Sequence, residues 1–498
     1  MNGAAFTRAL APWRSRPAVR ALLTGAQQLR ETLDERVAVL TGAAIILAAL
    51  VLKEGHVSSL LLFAGSAACG LAFARWAWRK PELGFYALVA YIPFRKVLVG
   101  DFGLGIPGLN FTNLLMAWLA LTCLLAYRAN RRVWLETTPL HVVLLLFMAL
   151  YMFALVRAGW AYGGWYFWSY LTPLKQVLGP MAFFFLAFWI VRDTRTLKTV
   201  VALMMTTVVL VAFISVWEYV IRGQGNLNWM RVRTIAREPN VLGAFFVTYL
   251  FLFAGFLLTF WPQRRGWVVL IPLLACLRGI MVTFSRGAYL ACVAGGLAIA
   301  WVRSKRLFLA VLALLLLAMA NPNLLPAGIR YRLEMTLERH EPIGSTEELT
   351  RQLEPSAANR VKIWRGAMGM IQDHPWWGVG FGAFPKYLGP YTHGEINYKI
   401  DAHNIYLHYG AEMGIPTLLV YLGLLLLAAF YAARLYRLAV DPVIQAIALG
   451  VAGGIAAWAG ANFFTFCMDS QEAVGYFWIL LALVMRGIQL EKKLEAGS

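Results

Sequence analysis

The sequence predicts an all-α membrane protein that crosses the bilayer many times. Of its 498 residues, 60% are hydrophobic and only 14% are charged, whereas soluble domains carry about 25% charged residues. Apolar runs long enough to cross a membrane recur along the whole chain, because about 20 helical residues span the hydrocarbon core. The runs are continuously apolar and do not alternate, which favours helices over a closed barrel.

About fourteen spans are predicted, within a range of twelve to fourteen. The connections after every second span are basic, and this bias is typical of cytoplasmic loops, so both chain ends are expected in the cytoplasm. The net charge of +20 stands in short clusters between apolar runs and does not indicate nucleic-acid binding. The predicted spans are 37–53, 57–76, 83–99, 109–127, 139–157, 171–191, 199–221, 239–261, 267–284, 287–302, 307–320, 404–433, 442–462 and 472–488.

The pattern divides the chain into five parts. Residues 1–36 form a basic cytoplasmic tail, and residues 37–320 contain the first group of transmembrane helices. One large polar loop, 321–403, follows on the outer side of the membrane. The C-terminal transmembrane helices occupy 404–488, and residues 489–498 form a second cytoplasmic tail.

The shorter outer segment 222–238 is also basic, against the usual trend for translocated loops. A functional attraction for anions is one explanation, and tolerance of charge in a translocated loop is the alternative. Its arginines are Arg222, Arg231, Arg233 and Arg237.

Residues 359–371 of the long loop are predicted to form an amphipathic helix. Asn359 is a suitable N-cap. Such a helix is expected to lie on the membrane surface, with Arg360 and Arg365 near the headgroups. Apolar side chains follow helical spacing at Val361, Trp364, Met368 and Ile371.

Three arginines are candidate ligands for a phosphate group. Arg286 stands between two apolar runs with almost no loop, at the start of a helix, where backbone N–H groups favour anions. Arg360 and Arg365 present guanidinium groups, which bind phosphate oxygens bidentately. The alternatives are snorkelling of Arg286 to the interface and a solvated helix face for the other two.

The long loop returns to the membrane at Asp401-Ala402-His403-Asn404. A neutral imidazole is a natural general base near neutral pH, so His403 is the candidate catalytic residue. Asp401 or Glu412 could orient its ring, and a purely structural role for His403 is the alternative. Other polar residues follow it closely: Asn404, Tyr406 and His408.

Residues 378–382, Gly-Val-Gly-Phe-Gly, superficially resemble a dinucleotide-binding loop. No strand precedes them, so a tightly turned loop near the site is the better interpretation. The sequence contains no Walker A, HExxH or GxSxG motif and no dense acidic cluster. We therefore predict no bound metal and no cofactor.

Four motifs, taken in order, resemble segments of the O-antigen ligase/polymerase superfamily. Residues 237–246 (REPNVLGAFF) resemble its Pro-Asn-x-x-Gly element, and 284–291 (FSRGAYLA) resemble its Ser-Arg-Gly segment. Residues 359–384 resemble its Arg…Trp…Pro…Gly-x-Gly-x-x-x-Phe block. Residues 403–417 resemble the ligase motif His-Asn-x9-Gly-x-x-Thr.

The resemblance implies a GT-C-like, metal-independent, inverting glycosyltransferase of the bacterial inner membrane. Its donor would be an oligosaccharide linked to undecaprenyl diphosphate, and its active site would face the periplasm. By the same resemblance, His403 would be the general base, and Arg286 and Arg360 would bind the diphosphate. Arg237 and Asn240, from the first motif, would have supporting roles.

Three acceptors are compatible with this chemistry. Another lipid-linked repeat would make the protein a polymerase of exopolysaccharide or O-antigen, which the size and topology favour. Lipid A-core would make it an O-antigen ligase, and a protein hydroxyl would make it an O-oligosaccharyltransferase. Membrane lipids and other polysaccharide-assembly proteins are further expected partners.

A polysaccharide transporter or flippase is the alternative of a different class. It would carry ionisable residues at mid-membrane depth. The notable ionisable residues here cluster at the predicted outer boundary, which disfavours a transporter.

Overall fold

The computed structural model describes residues 80–98, 111–126, 136–223, 231–261, 263–324, 330, 353, 355–396 and 400–497. The chain divides into two units after residue 91. The first unit contributes one described helix, and the second contains every other element below.

Helices form the described part of the chain, and no β-strand occurs among those residues. Short 3-10 turns occupy Ile92–Phe94 and Pro322–Leu324. The α-helices are α1 (Pro81–Tyr91), α2 (Arg95–Leu98), α3 (Phe111–Ala126), α4 (Pro139–Tyr162), α5 (Gly164–Ile190), α6 (Thr194–Gly223), α7 (Pro239–Phe260), α8 (Arg264–Thr283), α9 (Arg286–Arg303), α10 (Lys305–Ala320), α11 (Pro355–Asp373), α12 (Phe384–Tyr391), α13 (Ile405–Leu438), α14 (Pro442–Ala461) and α15 (Gln471–Gly497).

Among the described helices, eight are long and apolar enough to cross a membrane. They are α4 to α8 and α13 to α15, and each overlaps a predicted span. Helices α3 and α10, with 16 residues each, and α9, with Arg at both ends, occupy three more predicted spans. The spans 37–53 and 57–76 and the tail 1–36 lie outside the described residues. A multi-pass helical protein is confirmed, and the total of fourteen stays a prediction.

The span predicted at 83–99 is not one continuous helix. Helix α1 ends before Pro93, a 3-10 turn contains this proline, and the four-residue α2 follows. Proline has no backbone N–H, and its ring disfavours a helical conformation for the residue before it. The break is followed by Arg95 and Lys96, which pair with the buried Glu472 of α15 at 3.3 and 3.5 Å.

Small residues bring α7 and α14 into close contact. A Cβ added at Gly255 of α7 would lie 2.3 Å from the carbonyl oxygen of Ala446 in α14. A Cβ added at Gly450 of α14 would lie 2.6 Å from the carbonyl oxygen of Phe251 in α7. Such close backbone approach is typical of helix pairs in membranes, where van der Waals packing drives association.

The helix predicted at 359–371 lies within α11, which begins four residues earlier. Pro355 is its first residue, a position that proline favours, so Asn359 lies in the second turn and is not the N-cap. Met368, predicted in the apolar stripe, is 49% exposed. The buried face differs because α11 packs against α12 and α13. It consists of Ile363, Gly366, Ala367 and Met370.

Helix α13 is interrupted at Gly414, whose φ of 84° and ψ of 167° are not helical. Residues 375–384, here called the glycine segment, lie against this break. Its glycines have φ of 61° at Gly378, 112° at Gly380 and 77° at Gly382. Three backbone hydrogen bonds join the segment to α13: Val379 N–H to Ala411 O, Gly380 N–H to Glu412 O, and Ile415 N–H to Pro375 O, at 2.8, 2.8 and 2.7 Å.

Side chains of α4 and α5 hold the other side of the glycine segment. Arg157 Nη2 donates to the carbonyl oxygens of Trp377 and Gly378 at 2.9 and 2.7 Å. Two tyrosine hydroxyls donate to further carbonyl oxygens of the segment: Tyr162 to Val379 at 2.8 Å and Tyr166 to Phe381 at 2.9 Å.

We expect Gly414→Ala to lower the free energy of unfolding by at least about 2 kcal/mol. A strained left-handed conformation costs an L-residue about 1–3 kcal/mol. The added Cβ would also lie 2.2 Å from the carbonyl oxygen of Trp376. Thermal unfolding of the purified protein in detergent measures the loss.

Gly423→Ala is the matched control in the same helix, because nothing lies within 4 Å of the added Cβ. Alanine has a higher helix propensity than glycine, so the melting temperature of Gly423→Ala should equal or exceed that of the parent. Equal melting temperatures for the two variants would contradict a break at Gly414.

Candidate functional site

The chain returns to α13 through a strained turn at His403. Its φ of 45° lies in the left-handed region, which is uncommon for residues other than glycine. Its backbone N–H donates to Asp401 Oδ1 at 2.7 Å, and its ring Nδ1 lies 2.9 Å from the same oxygen. A neutral ring that donates from Nδ1 carries on Nε2 the lone pair that accepts a proton.

Asp401 is ionised at neutral pH. Burial raises the pKa of its carboxyl, but the hydrogen bond and the charge of the His403 ring and the His403 backbone N–H lower the pKa by more. The net pKa lies below its usual range. A carboxylate in this state orients the imidazole and stabilises the imidazolium that forms when the ring accepts a proton.

Asn404 and Tyr406, both predicted to support the site, hold the start of α13. Asn404 is the N-cap, and its Oδ1 accepts the backbone N–H groups of Tyr406 and Leu407 at 3.0 and 3.1 Å. The Tyr406 hydroxyl donates to the carbonyl oxygen of Ala459 in α14 at 2.7 Å. Both side chains therefore fix the helix that follows His403.

A further carboxylate, Asp469, lies on the turn between α14 and α15. This turn is joined to α13 because the Asn462 carbonyl accepts the N–H of Ile405 at 2.9 Å. Burial raises the pKa of Asp469; Arg237, whose Nη1 lies 3.3 Å from Asp469 Oδ2, lowers it, and the charge of Asp401 raises it, with a net increase. Arg237 is among the predicted site residues, whereas Asp469 is not, although its acidic side chain just before the last span was an available signal.

Arg286 is the first residue of α9, at the tight turn that follows α8. Phe284 has a left-handed φ of 49°, and Ser285 caps α9 through its hydroxyl. A Cβ added at Gly287 would lie 2.7 Å from the Cβ of Phe464. The first turn of α9 therefore packs on the same α14–α15 turn that carries the additional carboxylate.

Asn240, predicted as a supporting residue, binds Arg231. Its Oδ1 accepts a hydrogen bond from Arg231 Nη2 at 2.7 Å. Arg231 Nε also donates to the carbonyl oxygen of Thr283 at 2.9 Å. Arg231 thereby joins the segment before α7 to the turn that carries Arg286. The sequence showed Arg231 only as one of several basic residues in 222–238.

Arg360 and Arg365 lie on different sides of α11. At about 100° per residue, Arg360 is about 40° from Trp364 and about 140° from Arg365. The indole N–H of Trp364 donates to the carbonyl oxygen of Ala402 at 2.9 Å. Arg360 therefore shares the side of α11 that faces the return of the chain to the membrane.

Arg365 is exposed, and the charge near it belongs to Glu395. The hydrogen bond from Lys362 is the main cause of the lowered pKa of Glu395, and Arg365 contributes less. Arg365 thus lies on an exposed side of α11, near Glu395, and not on the side that carries Arg360.

The Glu412 carboxylate holds the glycine segment. Its Oε2 accepts the N–H of Gly382 at 2.9 Å, and its Oε1 accepts the N–H of Phe384 at 3.1 Å. His408 Nε2 lies 3.4 Å from Glu412 Oε2. Asp401 and Glu412 were both candidates for orienting His403. Asp401 contacts its ring, whereas Glu412 and His408 fix the glycine segment beside α13.

No group of three or more His, Cys, Asp or Glu side chains is placed to hold a metal ion in the part of the chain that the structure describes. The candidate site consists of an oriented histidine, nearby carboxylates and several arginines. Such a set can accept a proton at one point and bind an anionic oxygen group at another.

The comparison with known families covers three of the four motifs. No curated protein matches the chain. Residues 271–422 match the family described as O-Antigen ligase. The matched range begins within α8 and ends within α13, so it contains Arg286, Arg360 and His403. The match confirms the predicted resemblance to the O-antigen ligase/polymerase superfamily over residues 271–422, and the described helices indicate a multi-pass membrane protein.

Proposed function

We propose that the protein is a glycosyltransferase of the bacterial inner membrane, which transfers a glycan from undecaprenyl diphosphate to an acceptor hydroxyl on the periplasmic side. The contact between Asp401 and His403 is the observation that carries this proposal. An ionised carboxylate on Nδ1 leaves Nε2 of the imidazole to remove a proton from a hydroxyl. The family match supports an assignment to glycan chemistry.

In the proposed reaction, His403 Nε2 accepts the proton of the acceptor hydroxyl while that oxygen attacks the anomeric carbon of the donor sugar. The bond between this carbon and the diphosphate oxygen breaks, and its electron pair leaves with undecaprenyl diphosphate. Asp401 stabilises the imidazolium that results. A single displacement of this kind inverts the configuration at the anomeric carbon.

Arg286 and Arg360 neutralise the charge that grows on the leaving diphosphate in this proposal. Guanidinium groups bind phosphate oxygens bidentately, and donors fixed in advance are most effective where charge develops. The position of Arg286 at the start of α9 supports its role, because helix N-termini favour anions. Arg365 has a smaller, peripheral role, because it is exposed and lies about 140° around α11 from Arg360.

We further infer that the acceptor is another lipid-linked repeat unit, so that the protein polymerises exopolysaccharide or O-antigen. The size of the chain and its many spans support this choice.

The reconstituted protein, given only a lipid-linked repeat unit, is expected to form longer glycans. Product that appears only with lipid A-core would instead identify a ligase, and product only with an acceptor protein an O-oligosaccharyltransferase. Movement of the donor across the bilayer without a new glycosidic bond would identify a transporter.

His403→Ala is expected to lower kcat by about 10²- to 10⁴-fold, the usual contribution of a general base. The protein should remain folded, because the ring of His403 is partly exposed. His393→Ala is the control, since this exposed histidine has a similar left-handed φ of 51°. Transfer assays with the lipid-linked repeat measure both variants. Transfer by His403→Ala at the rate of the control would refute the assignment of the base.

Arg286→Ala and Arg360→Ala should each weaken transition-state stabilisation by on the order of 3 kcal/mol, or about a hundredfold in kcat/KM for the donor. Acceptor binding should change much less, because the arginines contact the diphosphate. Arg365→Ala is the comparison on the same helix, and we expect less than about a threefold effect from this exposed residue. Equal losses for Arg360→Ala and Arg365→Ala would argue against the proposed orientation of α11.

Asp401→Asn should lower kcat by at least about tenfold. The amide keeps the shape of the side chain but cannot stabilise an imidazolium, and it can favour the wrong ring tautomer. The lowered pKa of Asp401 keeps the carboxylate ionised from pH 5 to 9, so protonation of Asp401 should not cause any loss of parent activity in that range. A pH–rate profile of the parent and the variant measures both effects. Unchanged kcat in the variant would show that Asp401 is structural.

A further inference from the structure

Trp364 stands on the helix that carries Arg360, and it contacts both the peptide before His403 and the α14–α15 turn. It lies on α11, one turn after Arg360. Its indole N–H donates at 2.9 Å to the carbonyl oxygen of Ala402, in the peptide bond that precedes His403. Its ring centroid lies 6.3 Å from that of Phe464 on the α14–α15 turn.

Phe464 continues this chain of contacts to α9. Its Cβ is the atom that a Cβ added at Gly287 would meet at 2.7 Å, so Phe464 packs on the backbone that follows Arg286. The ring of Phe463 also packs edge-on against Trp364, with the two centroids 5.6 Å apart. The indole therefore joins α11, which carries Arg360, to the peptide before His403 and to the turn that packs on α9.

The peptide that accepts the indole hydrogen bond is the one that needs external support. His403 has a left-handed φ of 45°, and such a conformation persists only where the surroundings determine it. Asp401 holds His403 from one side. Ala402 is fully buried, so its carbonyl oxygen depends on a protein donor, and Trp364 supplies one.

We propose that Trp364 is a positioning residue that fixes His403 and couples its placement to the helix that carries Arg360. The inference rests on the proposed function, because it requires His403 to be the general base. Loss of the indole N–H displaces the base without removing any group that binds substrate. The effect is therefore expected in kcat and not in the KM of either substrate.

Trp364→Phe tests this role, because it keeps an aromatic ring beside Phe464 and removes the N–H donor. The net contribution of one hydrogen bond corresponds to roughly a 3- to 10-fold fall in kcat, with less than about a twofold change in donor KM. Hydrogen exchange of the backbone amides at 401–405 should become faster, while exchange in α14 should not change. Trp217→Phe, at a tryptophan that is 67% exposed on α6, is the matched control and should behave as the parent.

A double-mutant cycle tests the coupling to α11. Each loss of kcat/KM is converted to a free energy for Trp364→Phe, Arg360→Ala and the double variant. If α11 and the base are coupled, the free-energy loss of the double variant should be smaller than the sum of the two single losses. A double-variant loss equal to that sum would overturn the coupling.

The parent and His403→Ala, measured in the same assay, separate this inference from the proposed function. If the parent transfers glycan and His403→Ala does not, unchanged kcat in Trp364→Phe overturns the positioning role alone. A loss confined to donor KM, or faster exchange throughout the protein, would also overturn it. A parent that transfers glycan to none of the acceptors would overturn the proposed function and the positioning role together.

Discussion

Backbone groups at a break in a membrane helix need partners within the protein, because lipid offers no hydrogen bonds. The break of α13 at Gly414 meets this constraint through the glycine segment, which contributes three backbone hydrogen bonds. The Glu412 carboxylate then satisfies two further N–H groups of the segment. Helices α11 and α12 are continuous with the segment at its two ends, so the same contacts fix where both helices lie against α13.

The site that results joins side chains from distant parts of the sequence in a small network of opposite charges. Its two carboxyl groups have different environments: the pKa of Asp401 is lowered and that of Asp469 is raised. Carboxyl groups with separated pKa values take up protons at different pH. Of these two carboxyl groups, Asp469 therefore takes up a proton first on acidification, and the carboxylate that orients His403 keeps its charge to lower pH.

Much of this arrangement could be predicted, since helix positions follow from apolar length and the motifs carry local information. Arg286 and His403 stand at sharp changes from apolar to polar sequence, and the structure places both at helix starts. Asp469 stands just before the last span, but its contact with Arg237 could not be predicted, because Arg237 comes from a distant part of the sequence. The buried face of α11 could not be predicted from the sequence either. Its packing against α12 and α13 decides which side chains are buried, and it leaves Arg365 exposed. Helix α11 begins four residues before the predicted start, because Pro355 favours the first helical position.

The segment that matches the family is held by side chains that lie outside it. Arg157, Tyr162 and Tyr166 lie outside 271–422, yet their side chains hold the carbonyl oxygens of the glycine segment. A fragment of residues 271–422 alone would leave these carbonyl oxygens without their donors on α4 and α5, and the glycine segment would lose its contacts with both helices. Sequence similarity therefore covers only part of the candidate site, whereas α4 and α5 form part of its scaffold and must be retained with it.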